Sequence, residues 1–382
     1  MKIISASIVL ICVTTAAAIG QTRLVDSCVS WLARNGKPPA EYVVSKFSAY
    51  DVVLLSEDHR IRENLLFVQS LIPALYHGGI FTIGMEFGAS EDQVRLDSLV
   101  TAPVYDEERA REIMFSYNTG WAFREYMDVY RKAWEFNRTL PAGARKFRIL
   151  NLSYIYNWEG FSGQKNPENM KKVFYRGNTE RYRFGIVERE ILNRGGKILV
   201  LTGDIHAFTR YHYPWFDYLA PEFVRYDSTS FGNLLYAKYP GRVCSIILHQ
   251  PFSNYINREP GMVSPGGGAV EAIMARLENA PVGFDLADTP PGRLPDSSYF
   301  SMGYSAFTLA AMYDGYVFLS PIHRLHGCTI DSLFVTDRNF AAAVRNTPDP
   351  DWRPRPRDLA EYYRQVGEYA DVRRWYGEVD KK

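Results

Sequence analysis

The chain has little cysteine, four residues in 382. No two stand as Cys-x-x-Cys, which argues against a zinc knuckle or a dithiol redox motif. It also lacks an excess of either charge. Lys and Arg number 44 against 43 Asp and Glu, for a net +1. No basic stripe is present, so nucleic acid is not an expected partner. There is no Gly-x-Ser-x-Gly elbow and no His-Glu-x-x-His helix, which sets aside two common hydrolase designs. After residue 20 no segment is apolar enough to span a bilayer.

What is present starts with Met1-Lys2 and an apolar run from Ile3 to Ile19. One positive charge, an apolar middle and the small residues Ala16, Ala17 and Ala18 describe a secretory signal cleaved before Gln21. An uncleaved anchor is the competing reading. Ile11 before Cys12 is too large for a convincing lipoprotein signal. Residues 1–20 are thus expected to be a signal peptide, and 21–382 one exported domain, periplasmic or extracellular. Export leaves Cys28, Cys244 and Cys328, of which one pair could form a disulfide. A 46% apolar and 14% aromatic composition provides for a substantial core.

Three strand-like runs organise the rest. Val52 to Leu55 runs into Ser56-Glu57-Asp58-His59. Ile80 to Met85 runs into Glu86-Phe87-Gly88. Lys197 to Leu201 runs into Thr202-Gly203-Asp204-Ile205-His206. Between the first two, apolar residues from Ile61 to Tyr76 recur at three and four, which predicts a helix stopped by Gly78-Gly79. Strand, helix, strand with short links is a βαβ unit with parallel neighbours. Further helices are expected over 91–100, 107–114, 121–136, 179–193 and 231–239, and one closing helix over 358–376. Further strands are expected over 146–152, 242–248 and 313–319. The stretches 157–178 and 211–227 read as loops, and 281–298 as a Pro/Asp-rich connection. The glycine-rich turn Ser264 to Gly268 lacks the Lys and Ser/Thr of a phosphate-binding loop. The expected fold is α/β: a central, mostly parallel sheet flanked by helices, with helical insertions and a core over about 50–320.

Open α/β sheets keep their sites beyond the carboxyl ends of the strands. Glu57, His59, Glu86 and His206 all fall there. Such a set can activate water and steady a developing oxyanion without a Ser or Cys nucleophile. Metal-free and metal-assisted hydrolysis are both open, the second with His59, Glu86 and His206 holding Mn, Co or Zn. Arg60 and Arg62, just after His59, are candidates for binding a substrate carboxylate or orienting Glu86. His249 ends a strand at the same rim. His323 and His326 stand three apart near Cys328, but Pro321 and Gly327 favour a loop over a metal-binding helix there.

These motifs, in this order, resemble the erythromycin esterase-like, ChaN-like and Tiki/TraB superfamily. The resemblance rests on Leu54-Leu55-Ser56-Glu57-Asp58-His59, Ile83-Gly84-Met85-Glu86-Phe87-Gly88 and Leu201-Thr202-Gly203-Asp204-Ile205-His206. Phe123 to Met127, Ser230 to Leu235, Tyr239 to Val243 and Asp314 to Phe318 extend it over roughly 52–319. It implies that His59 is a general base or metal ligand, Glu57 its neighbouring acid, Glu86 the second-strand glutamate and His206 the second histidine. Ser56 departs from the pattern, where glycine is usual. The resemblance also divides the functional expectation. The first reading is hydrolysis of an ester or amide in a small molecule or peptide, and the alternative is a non-catalytic haem-binding protein. A surface interaction module is a third.

Overall fold

The structure, a computed structural model, describes residues 22–159, 161, 166–216, 223–254, 261–349, 354–377 and 379. The expected signal segment, 1–20, lies outside the described residues.

Eleven strands follow one another along these residues: β1 (Val52–Glu57), β2 (Thr82–Ala89), β3 (Arg148–Ser153), β4 (Ile198–Gly203), β5 (Tyr213–Phe216), β6 (Phe223–Asp227), β7 (Val243–Leu248), β8 (Phe252–Ser253), β9 (Met262–Val263), β10 (Val282–Asp285) and β11 (Gly315–Phe318). Seven form the central sheet in the order β10-β11-β7-β1-β4-β2-β3, with β5–β6 and β8–β9 as separate ribbons. β1 is parallel to β4 on one side and to β7 on the other. β2 is parallel to both β4 and β3. β11 runs parallel to β7, and β10 closes that edge antiparallel. The expected α/β class, with its mostly parallel sheet, is the one observed.

β1 and β4 are buried throughout and apolar up to their polar carboxyl ends, as strands covered on both faces must be. Successive side chains alternate between faces. Val53 and Leu55 join one core with the helices Arg62–His77 and Arg124–Thr139, through Leu65, Leu71, Tyr126 and Tyr130. Val52 and Leu54 join a second core with the helices Thr179–Glu190 and Phe231–Lys238, through Ile186, Val187, Phe231 and Leu235. This alternation continues into the polar tips. Ser56 meets Tyr313 on the second face, and Glu57 meets Tyr126 on the first.

Several expectations are corrected. The connection 281–298 contains β10, and the aromatic stretch 211–227 contains β5 and β6. The loop expected over 157–178 holds the helix Pro167–Val173, started by Asn166, whose side chain accepts from the Asn169 N–H. The closing helix is two, Leu359–Ala370 and Val372–Tyr376, because Asp371 caps the second. Cys28, Cys244 and Cys328 are all buried and free. Cys28 lies in the second core and the other two in the first, so the sheet separates Cys28 from both.

Candidate active site

The carboxyl ends of β1, β2 and β4 bring Glu57, His59, Glu86 and His206 to one rim, and the four divide into two assemblies. The first forms around His59. Glu57 is 1% exposed. Its Oε1 accepts a 2.6 Å hydrogen bond from the Tyr126 hydroxyl and one of 3.1 Å from His59 Nδ1. The other oxygen, Oε2, is buried without a hydrogen-bond partner among the described residues. The His59 side chain is 23% exposed. Its ring stands edge-on to Phe87 at 4.6 Å and to Trp121 at 5.6 Å, and those two rings stack at 3.9 Å. Burial opposes a charge on His59, but the hydrogen bond and charge of Glu57, with Glu86 behind, outweigh it and raise its pKa above 6.5.

The second assembly is an ion cluster. Glu86 is 5% exposed and Arg183 3%. Glu86 Oε1 accepts from Arg183 at 3.0 Å and lies 3.2 Å from His206 Nε2. Glu86 Oε2 accepts from the Thr202 hydroxyl at 2.7 Å and from the Gly203 N–H at 2.8 Å. His206 Nδ1 donates to Glu180 at 2.9 Å, and Glu180 also accepts from Arg183 and from the Phe231 N–H. Two carboxylates, one guanidinium and one imidazolium sum to zero, the condition for burying charge. Burial resists each ionised form, yet the partners prevail. The charges of Glu180 and Glu86 raise His206 to about 10. His206 and Arg183 lower Glu180 to about 2, and Arg183 and His206 hold Glu86 well below its usual range.

The consequence is chemical. Both ring nitrogens of His206 are committed and both oxygens of Glu86 are saturated, whereas among the described residues no hydrogen bond engages His59 Nε2. A metal at His59, Glu86 and His206 would have to break the cluster and sit beside Arg183. The three do not fit a metal site as they stand. Among the described residues no group of three or more His, Cys, Asp or Glu is arranged to hold an ion.

Gly203 brings the two assemblies together. It pairs with Glu57 across β1 and β4. A Cβ there would lie 2.9 Å from both Cε1 and Nε2 of His59 and 3.5 Å from the His206 ring. Gly203→Ala should therefore push the His59 ring aside without unfolding the sheet. For a catalytic His59, a displacement of this kind is expected to lower turnover by about 10²-fold. Turnover measured beside a thermal melt checks this, and unchanged turnover would refute it.

The remaining candidates stand apart from these contacts. The Arg60 guanidinium lies over the Trp375 ring at 4.5 Å and the Tyr369 ring at 5.1 Å, with Asp58 3.7 Å away. Arg62 pairs with the buried Glu125 at 3.1 Å. His249 is held between the Tyr316 hydroxyl and Glu271, at 2.5 and 2.7 Å. His326 pairs with Glu63.

Glu180, Arg183 and Tyr126 were not among the residues singled out from the sequence. Tyr126 was legible only as part of the helix expected over 121–136 and of the Phe123 to Met127 stretch that extends the resemblance. Glu180 and Arg183, three apart near the start of a helix, gave one weak signal, an ion-pair spacing that exposed helices show everywhere.

No family model matches the chain, and no curated protein matches it. Solved structures do. A succinoglycan biosynthesis protein aligns with TM-score 0.55 and 12% identity over 81% of this chain and 99% of its own. An erythromycin esterase mutant in its open conformation aligns with TM-score 0.46 and 14% identity, over 72% and 91%. ChaN of Campylobacter jejuni, described with cofacial heme, aligns with TM-score 0.36 and 12% identity, over 54% and 84%. The likeness to the first is one of fold, the same α/β architecture over nearly its whole length.

Proposed function

We propose that the protein hydrolyses an ester or amide bond with His59 as general base. The observation that supports this most is the contrast between the histidines. His206 stands between Glu86 and Glu180, whose charges favour its imidazolium, while among the described residues nothing hydrogen-bonds His59 Nε2 and its Nδ1 is anchored on a buried carboxylate. In the proposed step His59 Nε2 takes a proton from water as the water oxygen bonds to the carbonyl carbon. The carbonyl π pair moves to oxygen. When the tetrahedral adduct collapses, the alcohol or amine leaves and takes the proton back from His59. Glu57 fixes the ring orientation and stabilises its charged state, and Tyr126 fixes Glu57. The Glu86–Arg183–Glu180–His206 cluster braces the neighbouring strand ends. Residues 1–20 support an exported location, and no helix among the described residues is long and apolar enough to cross a membrane.

The test is a panel of esters and peptides, with and without Mn²⁺, Co²⁺ or Zn²⁺, on wild-type protein and His59→Ala. Hydrolysis that the substitution removes supports the proposal, and a panel with none ends it. The pH profile carries a sign. A base must be neutral, and the His59 pKa is raised above 6.5. Activity should therefore be low at acid pH and rise through an inflection above 6.5. A profile already flat at pH 6 would contradict this assignment.

A further inference from the structure

We propose that the two C-terminal helices form a subsite for a ring-bearing carboxylate, the non-reacting part of the substrate cleaved at His59. This rests on the hydrolase reading for its link to catalysis, but not for the binding itself.

A cavity of about 330 Å³ opens between these helices, the size of a small-ligand site. Its apolar wall is Trp375 and Tyr369. Trp375 is 37% exposed, in a protein whose largest rings are mostly buried. Its indole N–H is directed to the carbonyls of Glu368 and Tyr369, both at 3.2 Å, which fixes the plane of the ring. A fixed, partly open indole is a platform on which a second ring can stack.

The polar wall carries positive charge. Arg364 and Arg374 both pair with Glu368, at 2.6 and 3.3 Å. The next carboxylate, Glu361, is already paired with Arg357 at 2.8 Å and lies 3.5 Å from Arg364. Asp358 also stands beside Arg357, so the surplus on the wall itself is that of Arg364 and Arg374 over Glu368. Behind the indole, Arg60 is paired with Asp58 and adds no net charge to the wall. An anion beside Trp375 would meet this surplus, and guanidinium forks suit a carboxylate.

The cavity also adjoins the catalytic corner. Arg60, which lies on both wall rings, is the residue after His59. The Tyr369 ring stands 5.9 Å from Trp121, and Trp121 stands 5.6 Å from His59. One shared ring therefore separates the cavity wall from the general base. Binding energy gained at such a remote group can position the reacting bond.

The experiment uses the full chain carrying His59→Ala, so that binding is read without turnover. 1-Naphthoate and its uncharged analogue 1-naphthamide are titrated by calorimetry. The acid should bind at least ~10-fold more tightly than the amide, because the amide lacks the charge. Trp375→Ala and Arg374→Gln should each weaken the acid at least ~10-fold. Arg374 is surface-exposed, so its substitution keeps the test valid if Trp375→Ala fails to fold. Equal binding of acid and amide, or of acid to parent and Arg374→Gln, would overturn the subsite. The two proposals fail separately. Binding that depends on Arg374 in a protein with no His59-dependent hydrolysis keeps the subsite and removes the hydrolase. His59-dependent hydrolysis with naphthoate binding indifferent to Arg374 does the reverse.

Discussion

His59→Ala is expected to lower kcat/KM for the hydrolysed substrate by ~10²–10⁴-fold, the range a positioned general base supplies. The fold should survive. The ring is partly exposed, and its packing contacts are edges against Phe87 and Trp121, which stack on each other without it. Added imidazole should restore part of the rate, because the substitution leaves a space against Gly203. Glu57→Gln separates orientation from charge. The amide can still accept the Nδ1 hydrogen bond but no longer favours the imidazolium. The inflection in the pH profile should then move down, and a drop in rate with an unmoved inflection would show that Glu57 does not tune His59.

Arg183→Met is expected to be the most destabilising single substitution at the site, by about 3–5 kcal/mol, the range for breaking a buried ion pair. Arg183 gives Nη2 to Glu86, Nη1 to Glu180 and Nε to Ser153. Without it the buried Glu86 and the half-buried Glu180 share one imidazolium. Urea unfolding checks the magnitude, and a loss below 1 kcal/mol would show that the cluster tolerates imbalance. The same cluster sets the pH dependence of wild-type stability. Glu180 is lowered from 4.5 to about 2, so its contribution is present above 4.5 and lost as pH falls toward 2. His206 is raised from 6.5 to about 10, so its contribution is complete below 6.5 and lost as pH rises toward 10. Stability from this pair should therefore be flat between about 4.5 and 6.5 and fall on either side.

The strand ends were legible because a fully buried parallel strand is written as a continuous apolar run, and Val52 to Leu55 and Ile198 to Leu201 are such runs. The titratable tips could be read for the same reason. Which tips were free could not. Glu86 and His206 look like catalytic groups in the sequence, but their state is set by Arg183 on a helix whose inward face depends on packing. That helix has polar residues nearly all round, so no periodicity marked Glu180 and Arg183 as facing the cluster. β10 was missed because four residues with a glycine and an aspartate, between prolines and a turn, read as a connection. It is a strand only because β11 offers it an edge. Asp371 ended one helix and began the next by capping, an event a long charged pattern conceals.

β1 owes its place to partners far along the chain. Its neighbours in the sheet, β4 and β7, begin more than a hundred residues later. Closing loops of that length precedes any reward from the contacts they make, which slows folding. The corner that holds His59 is therefore synthesised early and set late. A ribosome that has released residues up to 242 has made Glu57, His59, Glu86 and His206, yet β1 still has an unpaired edge. During that interval the chain carries an unpaired apolar edge, the kind of surface that aggregates unless a chaperone covers it.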